Sequence, residues 1–181
     1  MSAPGTAIRL GLIGAPNSGK TTLFNALTGL RAKVANYPGV TVERREAQVS
    51  LGARAAVVID LPGTYSLEPL SPDEGVVLRV LDGELAAAPD ALVVVADACS
   101  LERSLPFVAQ VLLRGRPTCL VLTMIDELAA RGGTIDTARL ERALGIPVLG
   151  VIGHRGRGLD ALVRLLGRPE EWSRPVLPPP S

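Results

Sequence analysis

Two hydrophobic periods alternate along the chain. IRLGLIGA, from Ile8, is short and apolar and ends in Gly and Ala before a Pro, which predicts a buried strand. SGKTTLFNALTGL places Leu23, Ala26, Leu27 and Leu30 at helical spacing, with Gly29 near its end, and predicts a helix. RAKVANYPGV shows neither period and reads as a loop. TVERREAQVSL alternates, as a solvent-facing edge strand does. AAVVIDLPG predicts a buried strand running into a turn. SPDEGVVLRVLDGEL opens on Ser71-Pro72-Asp73-Glu74, a helix-start signal. ALVVVADA and PTCLVLTMID predict two further buried strands, with the helix LERSLPFVAQVLLRG between them. A helix in TARLERALG, a strand in IPVLGVIG and an amphipathic helix in GLDALVRLLG complete the pattern. Strands alternating with helices predict an α/β fold: a mostly parallel central sheet flanked by helices on both faces. No internal repeat interrupts it.

Composition narrows the class. The chain has 181 residues, 47% of them hydrophobic, and a formal net charge of +1. That is a folded chain long enough for one domain with a full core. Near-zero net charge gives no general case for a nucleic-acid partner or an anionic membrane surface. Cys99 and Cys119 lie in apolar runs and read as small buried hydrophobes in a reducing compartment. A single histidine supports no Cys/His metal site. MSAPGTAIRL shows no signal peptide, and ALVVVADACSL is too short to span a bilayer and contains Asp97. The sequence therefore reads as soluble and cytoplasmic, which is compatible with its being one piece of a larger membrane protein. Residues 1–7 are expected to be flexible, 8–167 to form the domain, and 168–181 to be a Pro-rich tail. Four of the last seven residues are proline, which favours an extended spacer.

The chemistry begins at Gly14-Ala15-Pro16-Asn17-Ser18-Gly19-Lys20-Thr21, a full match to G-x-x-x-x-G-K-[ST], followed by Thr22. A buried strand precedes it and a helix follows. Glycines let backbone N–H groups curl around phosphate oxygens, and the helix N-terminus adds its positive end. Lys20 is expected to reach β- and γ-phosphates, and Thr21 to ligate magnesium. Asp60-Leu61-Pro62-Gly63 follows a strand. Asp60 can orient magnesium directly or through a water, and the Gly63 N–H can sense a γ-phosphate. Thr41 can join the magnesium when that phosphate is present. Two loops ordered by γ-phosphate and released on hydrolysis would make a switch.

GAPNSGKTTLFNALTG, NYPGVTVE, DLPGTYSL, SPDE and DACSLERSL together resemble the cytoplasmic G domain of the ferrous iron transport protein B family of bacterial inner-membrane transporters. The resemblance covers roughly residues 8–167. It implies a Ras-like GTPase domain that binds GTP/GDP at the cytoplasmic face of the membrane, with a transmembrane iron-permease domain as partner in the same full-length protein. Most members carry a small helical domain after the G domain, and residues 168–181 leave no room for one. Either the sequence is a piece of a longer chain, or the Pro-rich tail leads to the membrane. The resemblance also implies that Asn17 helps bind a potassium ion beside the phosphates, supplying the charge that an arginine supplies elsewhere. Thr64 stands after Gly63, where Ras-type domains have a water-orienting Gln. Catalysis is thus expected to rest on Asn17, Lys20, Thr41 and Gly63.

At the base end the sequence departs from N-K-x-D. Asp126 is in place to accept from guanine, but Thr123 replaces the Asn, followed by Met124 and Ile125. Losing one such contact costs about 1–2 kcal/mol, or roughly 5- to 30-fold in affinity. Ile152, Gly153 and His154 align with the last base-contacting loop. The expectation is guanine binding that is weak for the family, with some relaxation toward ATP and slow turnover. Two alternatives stay open: a nucleotide-binding regulatory module with negligible turnover, and a soluble GTPase of ribosome or tRNA maturation. The altered loop and missing helical domain leave room for self-association.

Overall fold

The computed structural model describes residues 7–68, 72–152 and 158–175, with the backbone alone at 72–74. The strands are β1 (Ile8–Gly14), β2 (Lys33–Asn36), β3 (Glu43–Leu51), β4 (Arg54–Asp60), β5 (Ala91–Asp97), β6 (Thr118–Thr123) and β7 (Val148–Gly150). The helices are α1 (Lys20–Thr28), α2 (Pro72–Leu81), α3 (Leu101–Leu112), α4 (Ile125–Ala130), α5 (Thr137–Leu144) and α6 (Leu159–Leu166). One sheet runs in the order β2-β3-β4-β1-β5-β6-β7. β4, β1, β5, β6 and β7 are parallel, while β3 runs antiparallel to both its neighbours.

Side-chain alternation divides the core into two layers. Leu10, Leu12 and Val93 pack with Leu23 and Phe24 of α1 and Leu162 and Leu166 of α6. Ile13, Val94 and Leu120 pack on the other face with α2 and α3. Because β1, β5 and β6 are covered on both faces, they are mainly apolar along their length, which made them legible. Their carboxyl ends converge at Gly14, Asp97 and Thr123, where open α/β sheets place ligands.

The structure departs from the sequence pattern in three places. RAKVANYPGV is not all loop: Lys33–Asn36 forms the edge strand β2, paired to β3, so β3 is not itself the edge. All four β2 side chains are exposed, so no burial pattern marks it. The short helix α4 carries no apolar period long enough to announce it. Finally, packing does not stop near Gly167. Pro169–Glu171 forms a 3₁₀ turn, Trp172 is only 6% exposed, and its indole N–H donates to Leu165 O at 2.9 Å. Arg54 reaches Glu170 at 2.6 Å. Residues 176–181, 1–6 and Ser71 of the helix-start signal lie outside the described residues.

Candidate functional site

The P-loop joins the end of β1 to the start of α1. Gly14 has no room for a side chain, because a Cβ there would lie 2.4 Å from Val95 O. Asn17 takes a left-handed backbone, φ 64°, which Asn tolerates better than most residues. The Ser18 N–H donates to Ala15 O at 3.2 Å and closes the turn. The loop walls a cavity of about 560 Å³, lined by residues 15–17 and 19–22 with Gly63 and Met124 opposite. Asn17 also lines a second cavity of about 250 Å³ toward α3, shared with Thr64, Tyr65 and Arg103.

Lys20 and Asp60 meet in a buried ion pair, so the P-loop lysine and the carboxylate closing β4 share one locus. Beyond Asp60 the chain stays zipped to β1: Leu61 N donates to Leu12 O at 3.1 Å and Thr64 N to Gly14 O at 2.9 Å. This presses Gly63 onto the P-loop, where a Cβ would stand 3.0 Å from Pro16 N and Cγ. Thr64 is buried, and its hydroxyl donates to Ser66 O at 2.7 Å.

Gln110 of α3 was missed in the sequence. Its Oε1 accepts from Leu67 N at 2.7 Å and Ser66 Oγ at 3.2 Å, hanging the segment after Gly63 on α3. A lone Gln in the run FVAQVLL was the one local signal.

Thr41 is exposed and does not line the phosphate cavity. Its loop is tied at both ends to Tyr37, whose N–H donates to Val42 O at 3.0 Å and whose carbonyl accepts from Val40 N at 3.3 Å. Tyr37 is buried, with no partner for its hydroxyl among the described residues. Burial pushes its pKa up to about 12. Burial also raises both thiols, Cys119 far more than the half-buried Cys99.

At the base end, Thr123 is buried and braces the P-loop, donating to Ser18 O at 2.5 Å. Met124, φ 59°, turns the chain from β6 into α4 and lines the cavity. Asp126 sits in the first turn of α4, half-buried. Ile152 is buried and does not line the cavity, while Gly153 and His154 lie outside the described residues.

A P-loop after β1, a D-x-x-G turn after β4 and an aspartate opening the helix after β6, all on one mostly parallel sheet, define a Ras-like G domain. Residues 8–166 match the family described as Ferrous iron transport protein B, and the chain belongs to that family. It is 42% identical over 165 residues to the Fe(2+) transporter FeoB of Salmonella typhimurium, covering 89% of this chain and 21% of that protein. The G domain of the T. maritima FeoB iron transporter superposes with a TM-score of 0.82 at 38% identity, covering 92% of this chain and 100% of that one. A single-site mutant of S. thermophilus NFeoB bound to GDP gives 0.81 at 38% identity, covering 89% and 61%. The chain spans about a fifth of the length of the curated relatives it matches.

Proposed function

We propose that this chain binds GTP and GDP, hydrolyses GTP slowly with potassium assistance, and is the regulatory G domain of a bacterial ferrous iron transporter. In that reading it works at the cytoplasmic face of the inner membrane, joined to a transmembrane permease. The observation that carries the reading is the P-loop cavity of about 560 Å³ walled by residues 15–17 and 19–22 and by Gly63. Relatives of the same fold bind GDP.

The residues present suit the expected ions. Thr21 and Asp60 offer the oxygen donors magnesium prefers, and Thr41 would add a third from its loop. Bound there, magnesium would neutralise phosphate charge. Asn17 is exposed on the rim shared by both cavities, and its side-chain oxygen would serve potassium. Lys20 holds phosphate oxygens, and the Gly63 N–H meets the terminal phosphate. Asp126 accepts from guanine and selects it over adenine, which presents no matching pair of donors.

GTP hydrolysis in potassium and in sodium, with ATP as control, tests this. Faster GTP turnover in potassium is expected, and Asn17→Ala should abolish the difference. Equal rates in the two salts would remove Asn17 and potassium from the mechanism. A second reading, a nucleotide switch with negligible turnover, is favoured by the Thr64 hydroxyl, whose proton is engaged with Ser66 O. GDP binding without single-turnover hydrolysis in either salt would decide for it.

A further inference from the structure

The cavity of about 250 Å³ toward α3 is lined by none of Gly19, Lys20 and Thr21, which wall the phosphate pocket. In its wall lies the Ser18 hydroxyl, buried and without a hydrogen-bond partner among the described residues. A buried hydroxyl left so is costly, and a polar occupant of the cavity would satisfy it. Two charged side chains flank the same space. Arg103, in the first turn of α3, makes no ion pair among the described residues. Ser100, which precedes that helix, makes no side-chain cap bond, so the positive end of α3 borders the cavity unshielded by its cap residue. Asp97, half-buried at the end of β5, accepts from Cys99 N at 2.8 Å and likewise makes no ion pair among the described residues. Val94, Val95 and Phe107 supply an apolar wall.

Charge decides the class of ligand. A plain anion at Arg103 would face the Asp97 carboxylate, and a plain cation at Asp97 would face the Arg103 guanidinium. Like charges sharing a partly enclosed space repel. A molecule that carries both an ammonium and a carboxylate meets each side chain with its opposite, and an apolar body then covers the Phe107 wall. Size agrees. The volume lies just below the range of about 300–1,000 Å³ usual for drug-sized ligands, yet far exceeds the roughly 30 Å³ of a single water. We infer that this cavity is a binding site for a small apolar α-amino acid. Its carboxylate lies at Arg103 and the amino end of α3, its ammonium at Asp97 and its side chain against Phe107. The Ser18 hydroxyl thereby gains the partner it lacks. The site stands whether or not the neighbouring pocket takes a nucleotide.

Titration of the nucleotide-free chain with L-leucine, L-methionine and L-phenylalanine, followed by amide NMR, tests this. At least one should give saturable shifts at Ser18, Thr64, Ser100, Arg103 and Ser104. The analogue of that amino acid lacking the amine, and the one lacking the carboxylate, should each bind about 10-fold or more weakly. Arg103→Gln should bring a similar loss, and Arg103 is exposed, so the core is untouched. No saturable shift with any of the three at millimolar concentration would overturn the inference, as would shifts confined to other parts of the molecule. So would an analogue lacking one charge that binds as tightly as its parent, or an Arg103→Gln chain that binds unchanged. The analogues are compared on the unmutated chain, so they decide even if the variant does not fold.

Discussion

Tyr37 shows how a single residue anchors a loop, through its main chain, while its side chain is buried. Its ring is buried, while Thr41, a few residues on, stands exposed on the loop that Tyr37 ties down. Burial is the main reason its pKa rises from 10.0 to about 12; Glu46 and Asp60 add to the rise, and Arg44 and Arg9 oppose it. The folded chain therefore keeps a proton that the unfolded chain releases. The stability this contributes is fully present below pH 10 and is lost as pH rises toward 12. Tyr37→Phe removes the titrating group. Its denaturation midpoint should fall less steeply than the parent's as pH is raised through that window. At neutral pH it should melt no lower than the parent, since the hydroxyl it loses has no partner among the described residues. Identical alkaline slopes would show that Tyr37 does not titrate across this range.

At the scale of elements, α3 does more than cover the sheet. Gln110 holds Ser66 and Leu67, Ser66 Oγ accepts from Glu68 N at 3.0 Å, and Thr64 donates to Ser66 O. The segment after Gly63 thus reaches α3 through hydrogen bonds, while Thr64 N ties its start to Gly14 O. Gln110→Leu should free the Leu67 amide. Losing one such bond costs about 1 kcal/mol, so exchange in a peptide covering residues 61–68 should quicken roughly 5-fold, with β1 unaffected. Unchanged exchange would mean that the contact does not order the segment. None of this was legible locally, because Gln110 and Leu67 are 43 residues apart. Asp60-Leu61-Pro62-Gly63 was legible, because the turn residues follow a buried apolar run.

Across the whole molecule, the stretch after α6 closes the fold. Trp172 is buried in the same core layer as α1 and α6, and Pro175 lies so close to Gly145 that a Cβ there would stand 2.9 Å from its Cα. Trp172→Ala should cost about 3–5 kcal/mol. In thermal denaturation, a chain ending after Gly167 should melt well below one ending after Pro175. Equal melting temperatures would mean that this segment only rests on the surface.

By itself the sequence determined the alternation of buried strands and helices, the P-loop, the D-x-x-G turn and the family. Each is written in contiguous residues: a strand covered on both faces is a mainly apolar run, and a loop that cradles phosphate needs its glycines at set spacing. Tertiary structure alone decided the rest. It made β2 the edge strand, hung the segment after Gly63 on Gln110, brought Trp172 into the core, and committed the Thr123 proton to Ser18 O. Each of these depends on a partner far along the chain or on the geometry of a single hydroxyl. Local pattern carries no information about either, because burial and hydrogen-bond choice are settled by whatever the fold brings within reach.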